Sequence, residues 1–214
     1  MREDTRTITF AAIVCVVCSL LLSGTAALLK DRQDTNAAFD VKRNIAKAFG
    51  VDISDATPES IDTVFKEHIA EEKGPEGLVL YTWTENKKVV KYCFPISGKG
   101  LWSTIYGYLA LESDLQTIAG ITFYKHGETP GLGAEIDKEW FQKQFKGKNI
   151  YSSNGDPLPF TVVKGKVDKL SKKEQVYSVD GISGATLTSK GVQNFLRTDL
   201  KKYADYFKTI REKK

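Results

Sequence analysis

Residues 180–186 read Asp-Gly-Ile-Ser-Gly-Ala-Thr, and this stretch determines how we interpret the whole 214-residue chain. Its small side chains allow several backbone N–H groups to point outward together, and Gly184 can adopt a positive φ without steric cost. A helical pattern follows after Leu187 and Thr188, Thr188 is expected to help cap that helix, and the N-terminus of a helix attracts anions. The loop therefore suits a phosphate group, although the same features fit a tight turn that caps a helix.

Length and composition limit the number of domains and the kinds of partner. The chain has 41% hydrophobic and 27% charged residues, which is enough for one globular domain with a short appendage. Its net charge of +4 comes from lysines scattered among acidic residues, so we predict no binding to nucleic acid. Two of the three cysteines lie near the N-terminus, which leaves only Cys93 beyond it and no disulfide framework there.

The apolar run from Ile8 to Leu29 contains no charged residue. At about 1.5 Å per residue, a helix of this length crosses a hydrocarbon core of roughly 30 Å, so we predict a single transmembrane helix. A cleavable signal peptide is the alternative, because residues 23–26 are small, but the run is longer than the usual signal-peptide core. Cys15 and Cys18 lie one helical turn apart on it; we interpret them as small hydrophobic residues and assign no metal ligand.

Charges around this run leave its orientation open. Basic residues are at least as frequent after the run as before it, which does not favour a cytoplasmic N-terminus. The basic residues are Arg2 and Arg6 on one side and Lys30, Arg32, Lys42 and Arg43 on the other.

Two helices are predicted after the apolar run. The first has an apolar stripe and ends at Gly50. The second starts at Thr57-Pro58-Glu59, where a capping residue precedes a proline at the first helical position, and it is expected to run until residues 73–77 break it. Its apolar stripe is Ile61, Val64, Phe65 and Ile69, and His68 lies off this stripe on a face that we predict to be solvated. The stripe of the first helix is Ala38, Val41, Ile45, Ala48 and Phe49.

The middle of the chain predicts an antiparallel sheet. Two runs of β-branched and aromatic residues, 78–84 and 89–96, flank a polar turn around Asn86, and a second pair, 105–111 and 117–124, flanks an acidic turn at 112–114. Helical patterning returns at 137–145, a loop follows at 152–159, a short strand is expected at 161–164, and a last helix begins near Ser189. This order indicates an α+β fold, an antiparallel sheet flanked by helices.

Two glycine-rich segments stand out between these elements. In Gly98-Lys99-Gly100-Leu101-Trp102-Ser103, the Trp102 side chain could form a wall against a flat ring, or it could pack into the core. In Glu128-Thr129-Pro130-Gly131-Leu132-Gly133, a rigid loop could present backbone donors and acceptors to a ring edge, or it could be only a loop. Lys164, Lys166 and Lys169 form either a solvated basic face or a cluster that stabilises an anionic ligand.

These motifs resemble a known family. Residues 180–186 resemble the flavinylation motif Asp-Gly-x-Ser/Thr-Gly-Ala-Thr, whose final threonine, here Thr186, carries FMN through a phosphoester bond made by a flavin transferase. Together with the segments at 98–103 and 128–133, the chain is similar over nearly its whole length to the C subunits of sodium-translocating NADH:quinone oxidoreductases. The G subunit of the Rnf complex shares two of these motifs, but the Gly-Leu-Trp-Ser segment resembles the C subunits.

The resemblance implies an electron carrier of a sodium-translocating NADH:ubiquinone reductase. It implies a stub and transmembrane helix over 1–30, a helical connector over 31–75 and an FMN-binding α+β domain over 76–214. That domain is expected on the periplasmic side of the bacterial inner membrane, next to the B subunit, which carries the second flavin, and the iron–sulfur-bearing D and E subunits. Implied contacts of the covalent FMN on Thr186 are Trp102, Glu128, Thr129, Gly131, Leu132, Gly133, Ser183, Gly184, Ala185, Leu187 and Thr188.

Three alternatives remain at this stage. The first is a G-like flavin subunit of an Rnf-type ferredoxin:NAD oxidoreductase. The second is a membrane-anchored extracytoplasmic binding domain without flavin, in which the loop before Thr186 is a helix cap or holds a free anion. The third is a hydrolase that uses Ser183 or Ser103, but neither serine lies in a Gly-x-Ser-x-Gly motif.

Overall fold

A computed structural model describes residues 2–152 and 156–213 of the chain and confirms the α+β fold. Positions 153–155, in the loop predicted at 152–159, lie outside the described residues. The chain divides into two compact units, Met1–Asp40 and Val41–Lys214. The helices are α1 (Arg2–Phe49), α2 (Pro58–His68), α3 (Glu139–Gln142), α4 (Lys172–Gln175) and α5 (Thr186–Glu212). The strands are β1 (Ile69–Lys73), β2 (Val79–Glu85), β3 (Lys88–Lys99), β4 (Thr104–Glu112), β5 (Ile118–Lys125), β6 (Thr161–Val163) and β7 (Ser178–Asp180).

Helix α1 contains the predicted span. Its most apolar 18-residue window has a mean hydropathy of 2.4, and none of that window is buried. By length and composition α1 can cross a membrane. The apolar run and the stripe predicted after it belong to one uninterrupted helix.

The C-terminal turns of α1 belong to the folded domain. Ile45, Ala48 and Phe49 are buried. The helix ends where Gly50 adopts a φ of 99°, as its position in the sequence predicted. The Lys91 ammonium donates a hydrogen bond of 2.8 Å to the Phe49 carbonyl, which satisfies one of the acceptors left free at a helix end.

The sheet is a five-stranded antiparallel meander in the order β1-β2-β3-β4-β5. Both predicted hairpins are present. The β2–β3 turn has positive φ at Asn86 and Lys87, as the tight hairpin turns require. In the β4–β5 turn, the Asp114 carboxylate accepts hydrogen bonds from the amides of Gln116 and Thr117.

Each face of the sheet has its own apolar core. On one face α5 crosses β3, and the Phe94 ring lies 4.4 Å from Tyr203 and 5.4 Å from Phe207, centroid to centroid. Helix α5 approaches so closely that a Cβ on Gly98 would lie 2.2 Å from the Cβ of Phe195. The opposite face is covered by the end of α1, with Phe65 of α2 packed at its edge.

Four details differ from the sequence prediction. Residues 69–73 form β1 instead of continuing the second helix, because Ile69 is already extended and pairs with Trp83. The helix predicted at 137–145 is divided into 3₁₀ turns around the short α3, since Lys138 is extended. His68 is only half exposed and stacks on Trp83 at 4.7 Å. Helix α5 begins at Thr186 and not near Ser189.

Candidate functional site

The turn that contains the flavinylation-like motif leads from β7 into α5. Ala185 is the N-cap residue and Thr186 is the first residue of the helix, with an exposed side chain. Gly184 adopts a φ of 75°, and the Ala185 amide donates to the Ile182 carbonyl. The N-cap makes no side-chain hydrogen bond to the helix. The first amides of α5 are thus left to bind an external acceptor, and the Thr186 hydroxyl stands beside them.

The parallel pair β6–β7 holds this turn in place. A Cβ on Gly181 would lie 2.3 Å from the Val163 carbonyl oxygen, so the chain after β7 passes directly against β6. The Ser189 hydroxyl accepts a hydrogen bond of 3.2 Å from the Ile182 amide, and Gln193 accepts one of 3.0 Å from Val162. Two side chains of α5 therefore fix the position of its own N-terminus relative to the small sheet.

A cavity of about 680 Å³ opens beside Thr186. This volume is within the range of small-molecule and cofactor sites. Its walls come from the β6–β7 unit, the motif turn, the first two turns of α5 and one tryptophan. The lining residues are Trp140, Val162, Val163, Lys164, Gly165, Lys166, Gly181, Ile182, Ser183, Gly184, Thr186, Ser189, Lys190 and Gln193.

Lys166 on the cavity wall is paired. Its ammonium lies 2.8 Å from Asp180 Oδ2, and the same carboxylate accepts a hydrogen bond from the Val167 amide. The hydrogen bond that Lys166 donates to Asp180, and the negative charge of that carboxylate, raise the pKa of Lys166. Lys164 and Lys190 are exposed and also line the cavity, so the lining carries positive charge that would favour an anionic ligand.

One carboxylate joins the three segments that the sequence singled out. Glu128 is only 5% exposed. Its Oε1 accepts hydrogen bonds from the amides of Trp102 (3.0 Å) and Ser103 (3.4 Å), and its Oε2 accepts one of 2.6 Å from the Thr188 hydroxyl. The loops at 98–103 and 128–133 therefore meet the first turn of α5.

Two glycines make room for this carboxylate. A Cβ on Gly100 would lie 2.5 Å from Glu128 Oε1, and a Cβ on Gly133 would lie 2.7 Å from Oε2. Burial by itself raises the pKa of Glu128, but the hydrogen bonds from Thr188 and from the amides of residues 101–103 outweigh it, so that the pKa lies below its ordinary value. Glu128 is therefore an ionised carboxylate inside the protein.

These bonds change our interpretation of Thr188. From the sequence it was expected to cap the last helix and to contact the flavin. Its side chain is buried, 1% exposed, and it lies in the third helical position, where its hydroxyl donates to Glu128. The capping role is wrong, because the helix starts two residues earlier.

Four large apolar side chains remain exposed around this junction. Trp102 is 71% exposed, which rules out the alternative that its side chain packs into the core. Leu101 is exposed beside it, and Leu187 follows Thr186 on α5. Leu132 lies against the motif turn, since a Cβ on Gly184 would be 2.8 Å from its side chain. Thr129 and Gly131 belong to that loop as well, and the Thr129 carbonyl accepts hydrogen bonds from the amides of Leu132 and Ala134.

Sequence reasoning missed several residues of the cavity, of which Trp140 is the most informative. Its indole N–H donates a hydrogen bond of 2.9 Å to Glu135, and its ring meets Phe141 edge-on at 5.7 Å. The sequence offered little signal, because 137–145 was interpreted only as helical and Trp140 was given no role. Gln193 and Lys190 could have been found from helical spacing, since they lie two turns and one turn after Thr186.

The serine of the hydrolase hypothesis has another role here. The Ser103 hydroxyl accepts a hydrogen bond of 2.5 Å from the Gly127 amide and donates one of 3.3 Å to the Thr104 carbonyl. These bonds fasten the Trp102 loop to the neighbouring loop. They explain the serine as part of the local structure.

Comparison with known proteins places the chain in a family. Residues 100–201 match the FMN-binding domain family. This range includes the loop at 128–133, the motif at 180–186 and residues 100–103 of the Trp102 loop. The C subunit of the Na⁺-translocating NADH-quinone reductase of Pseudomonas aeruginosa is 34% identical, covering 91% of this chain and 90% of that protein. The chain belongs to the C-subunit family of Na⁺-translocating NADH-quinone reductases.

Other members of the C-subunit family agree in sequence and in fold. The C subunit from Vibrio alginolyticus is 33% identical over 84% of this chain and 83% of that protein. The crystal structure of the C subunit from Parabacteroides distasonis is 31% identical, covers 84% of this chain and 96% of that structure, and superimposes with a TM-score of 0.72. The resemblance drawn from the motifs is confirmed, and the Rnf-type alternative is no longer needed to explain them.

Proposed function

We propose that this chain is an electron carrier of a Na⁺-translocating NADH-quinone reductase, with FMN joined through its phosphate to the Thr186 hydroxyl. The observation that carries the proposal is the position of Thr186. It combines an exposed hydroxyl, the uncapped N-terminus of a 27-residue helix and an adjacent cavity of about 680 Å³. The hydroxyl can form the phosphoester, the helix N-terminus favours the phosphate charge, and the cavity has room for the rest of the group.

The described residues fit an FMN group. The amides at the start of α5 and the positive φ of Gly184 suit the phosphate, and the positive charge of Lys164 and Lys190 in the lining suits its negative charge. Trp140 offers a flat aromatic surface in the cavity, and Trp102 and Leu132 offer apolar surface beside the turn. Ser183, Gly184, Ala185 and Leu187 would hold the group through the backbone and side chains of the turn.

When bound, FMN supplies reversible one- and two-electron redox chemistry that no side chain of the protein can provide. The residues of the chain position the group, limit its exposure and set the charge around it. Attachment requires a flavin transferase and FAD. The Thr186 oxygen forms the new P–O bond, the pyrophosphate bond of FAD breaks, AMP leaves and the hydroxyl proton passes to solvent.

The remaining parts of the proposal concern the assembly. Helix α1 anchors the chain as a single span of the bacterial inner membrane, with residues 41–214 on the periplasmic side. The neighbours in electron transfer are the B subunit, which carries the second flavin, and the iron–sulfur-bearing D and E subunits, and ubiquinone is the final acceptor of the complex. An electron carrier that never releases its flavin suits a compartment without a flavin reservoir.

The proposal is tested by producing the chain together with an active flavin transferase. We expect yellow fluorescence that stays with the denatured protein band, an intact mass that includes one FMN, and a modified peptide within residues 183–188. Thr186→Val should remove all three signals. Ser183→Ala, which deletes the other exposed hydroxyl of the turn, is the matched control and should keep them.

An unmodified wild-type chain in the presence of active transferase would contradict the proposal. It would favour instead a membrane-anchored binding domain whose turn holds a free anion. Modification at Ser183 instead of Thr186 would keep the flavin but overturn the assignment of the residue.

A further inference from the structure

We propose that Glu128 is a positioning residue for the acceptor threonine. The carboxylate does not contact the flavin; together with Thr188 it holds the first turn of α5 and the Trp102 loop in the one arrangement that presents Thr186 to the transferase. This inference rests on the proposed function.

The geometry shows why Glu128 has little to offer an external ligand. Both carboxylate oxygens already accept hydrogen bonds from the protein, and the side chain is closed in by Gly100 and Gly133. A carboxylate that bound the flavin directly would need an accessible oxygen, but Glu128 is only 5% exposed and is not among the described residues that line the cavity. Its bonds instead run between segments that are distant in the sequence.

The bond from Thr188 acts on the acceptor through the helix. Thr186 and Thr188 belong to the same first turn of α5. Within a helical turn the position of each residue along the axis and its angle around the axis are fixed relative to the others, so a bond that holds Thr188 also holds Thr186. Because the N-cap residue makes no side-chain hydrogen bond to this turn, the bond between Thr188 and Glu128 is a restraint on its position that comes from outside the helix. Ser189 and Gln193 restrain the same helix end from the side of the small sheet, whereas Thr188 restrains it from the side of the Trp102 loop. Helix ends fray readily, and a first turn that has lost one of these restraints would present the Thr186 hydroxyl in more orientations.

Charge strengthens the arrangement. Hydrogen bonds to an ionised acceptor are roughly twice as strong as neutral ones, and Glu128 receives them from both sides. Loss of either partner leaves a buried group unsatisfied. The two loops and the helix should therefore respond to substitution as one unit, and effects at Glu128 and Thr188 should not be additive.

The variants that test this are Thr188→Val, which removes the hydroxyl at nearly constant shape, and Thr188→Ser, which keeps it. Tyr151→Phe is the matched control: it removes a buried hydroxyl bond of similar length, 2.7 Å to the Leu200 carbonyl, that is not part of the site. All variants and the wild type are full-length chains, and the transferase labels each at a temperature at which it is fully folded.

We expect Thr188→Val to be labelled about tenfold more slowly than wild type, through the turnover rate and not the KM for FAD, because FAD binds to the transferase. Thr188→Ser and Tyr151→Phe should be labelled within about twofold of wild type. The double variant Glu128→Gln/Thr188→Val should be no slower than Thr188→Val. Wild-type labelling of Thr188→Val, or equal slowing in Tyr151→Phe, would overturn the proposal.

A second measurement does not depend on flavin. Hydrogen exchange of unlabelled protein, read by mass spectrometry in the peptide 100–104, should accelerate in Thr188→Val and stay at the wild-type level in Tyr151→Phe. Unchanged exchange in Thr188→Val would refute the mechanical link. If the wild-type chain is never labelled, the proposed function fails, and exchange still shows whether Thr188 restrains the loop.

Discussion

The Thr188 hydroxyl donates a hydrogen bond of 2.6 Å to Glu128, although 60 residues separate them in the chain. The same carboxylate accepts from the Trp102 amide, so one buried anion connects three segments. The positioning role proposed for Glu128 gives this residue of a glycine-rich loop an effect on the shape of the site without contact with what the site binds. This distinction determines what to expect of substitutions around Thr186.

Replacement of Trp102 by Ala should change the flavin and not the fold. The side chain is largely exposed, and its backbone amide makes the bond to Glu128, so the free energy of unfolding should change by less than about 0.5 kcal/mol. We expect the tether to form normally and the flavin absorption spectrum or reduction potential to shift. Trp102→Phe, which keeps a flat ring, should lie closer to wild type. An unchanged spectrum and potential in Trp102→Ala would remove Trp102 from the flavin site.

Trp140 tests whether the cavity is the flavin site. Trp140→Phe keeps an aromatic ring but loses the hydrogen bond to Glu135, and phenyl is a poorer electron donor than indole. If the flavin lies in the cavity, its fluorescence should increase in this variant while the attachment to Thr186 is complete. If the fluorescence is the same as in wild type although every chain carries FMN on Thr186, the flavin lies away from Trp140.

Acid should destabilise the domain in a specific pH range. The folded-state pKa of Glu128 is lowered below its ordinary value of 4.5, and that of Asp180 below 3.8. Each contributes stability that is present above the unfolded pKa and is lost as pH falls through the folded pKa. The free energy of unfolding, measured by urea denaturation, should therefore decrease from about pH 4.5 downward.

Glu128→Gln should make this pH dependence shallower, because one of the carboxylates that must be protonated is gone. The exposed Glu59 provides the control: Glu59→Gln should leave most of the slope in place. A slope in Glu128→Gln as steep as in wild type would show that Glu128 is not the ionised group described here.

Gly98 should tolerate no side chain. In Gly98→Ala the new Cβ would lie 2.2 Å from the Phe195 Cβ, so α5 would have to move away from β3, at a cost of about 1–3 kcal/mol in the free energy of unfolding. In Gly127→Ala the nearest atom would be the Ser103 hydroxyl at 3.2 Å, and a smaller loss is expected. Equal stability of the two variants would contradict the close approach of α5.

Local patterns were sufficient for much of the fold. Both hairpins, the helix beginning at Pro58 and the end of α1 at Gly50 were predicted, because turn residues and apolar periodicity act over a few residues. Strand β1 was missed because Ile69 continues a helical stripe, and only its pairing with β2 makes it extended. The interruption of the helix near Trp140 was also missed, because the extended residue Lys138 is not marked in the sequence by a neighbouring Gly or Pro.

The segments of the candidate site could be predicted from the sequence, but the contacts between them could not. The motifs singled out Thr186, Trp102 and Glu128 as candidates, but no spacing along the chain indicates that a carboxylate in one loop accepts a hydrogen bond from a hydroxyl in a helix. Gly100 was interpreted as part of a glycine-rich segment and Gly133 as a contact of the flavin, whereas in the structure a side chain at either position would collide with Glu128. Such requirements arise from tertiary packing and have no local signature.

The burial of the last turns of α1 bears on how the domain can be prepared free of lipid. Trimming the chain at Gly50, where the helix ends, would strip Ile45, Ala48 and Phe49 from one face of the sheet and leave the Lys91 ammonium without its carbonyl partner. A shortened version that begins at about residue 38 keeps these contacts and omits the apolar run. The boundary that matters for solubility is therefore set inside a helix and not at its end.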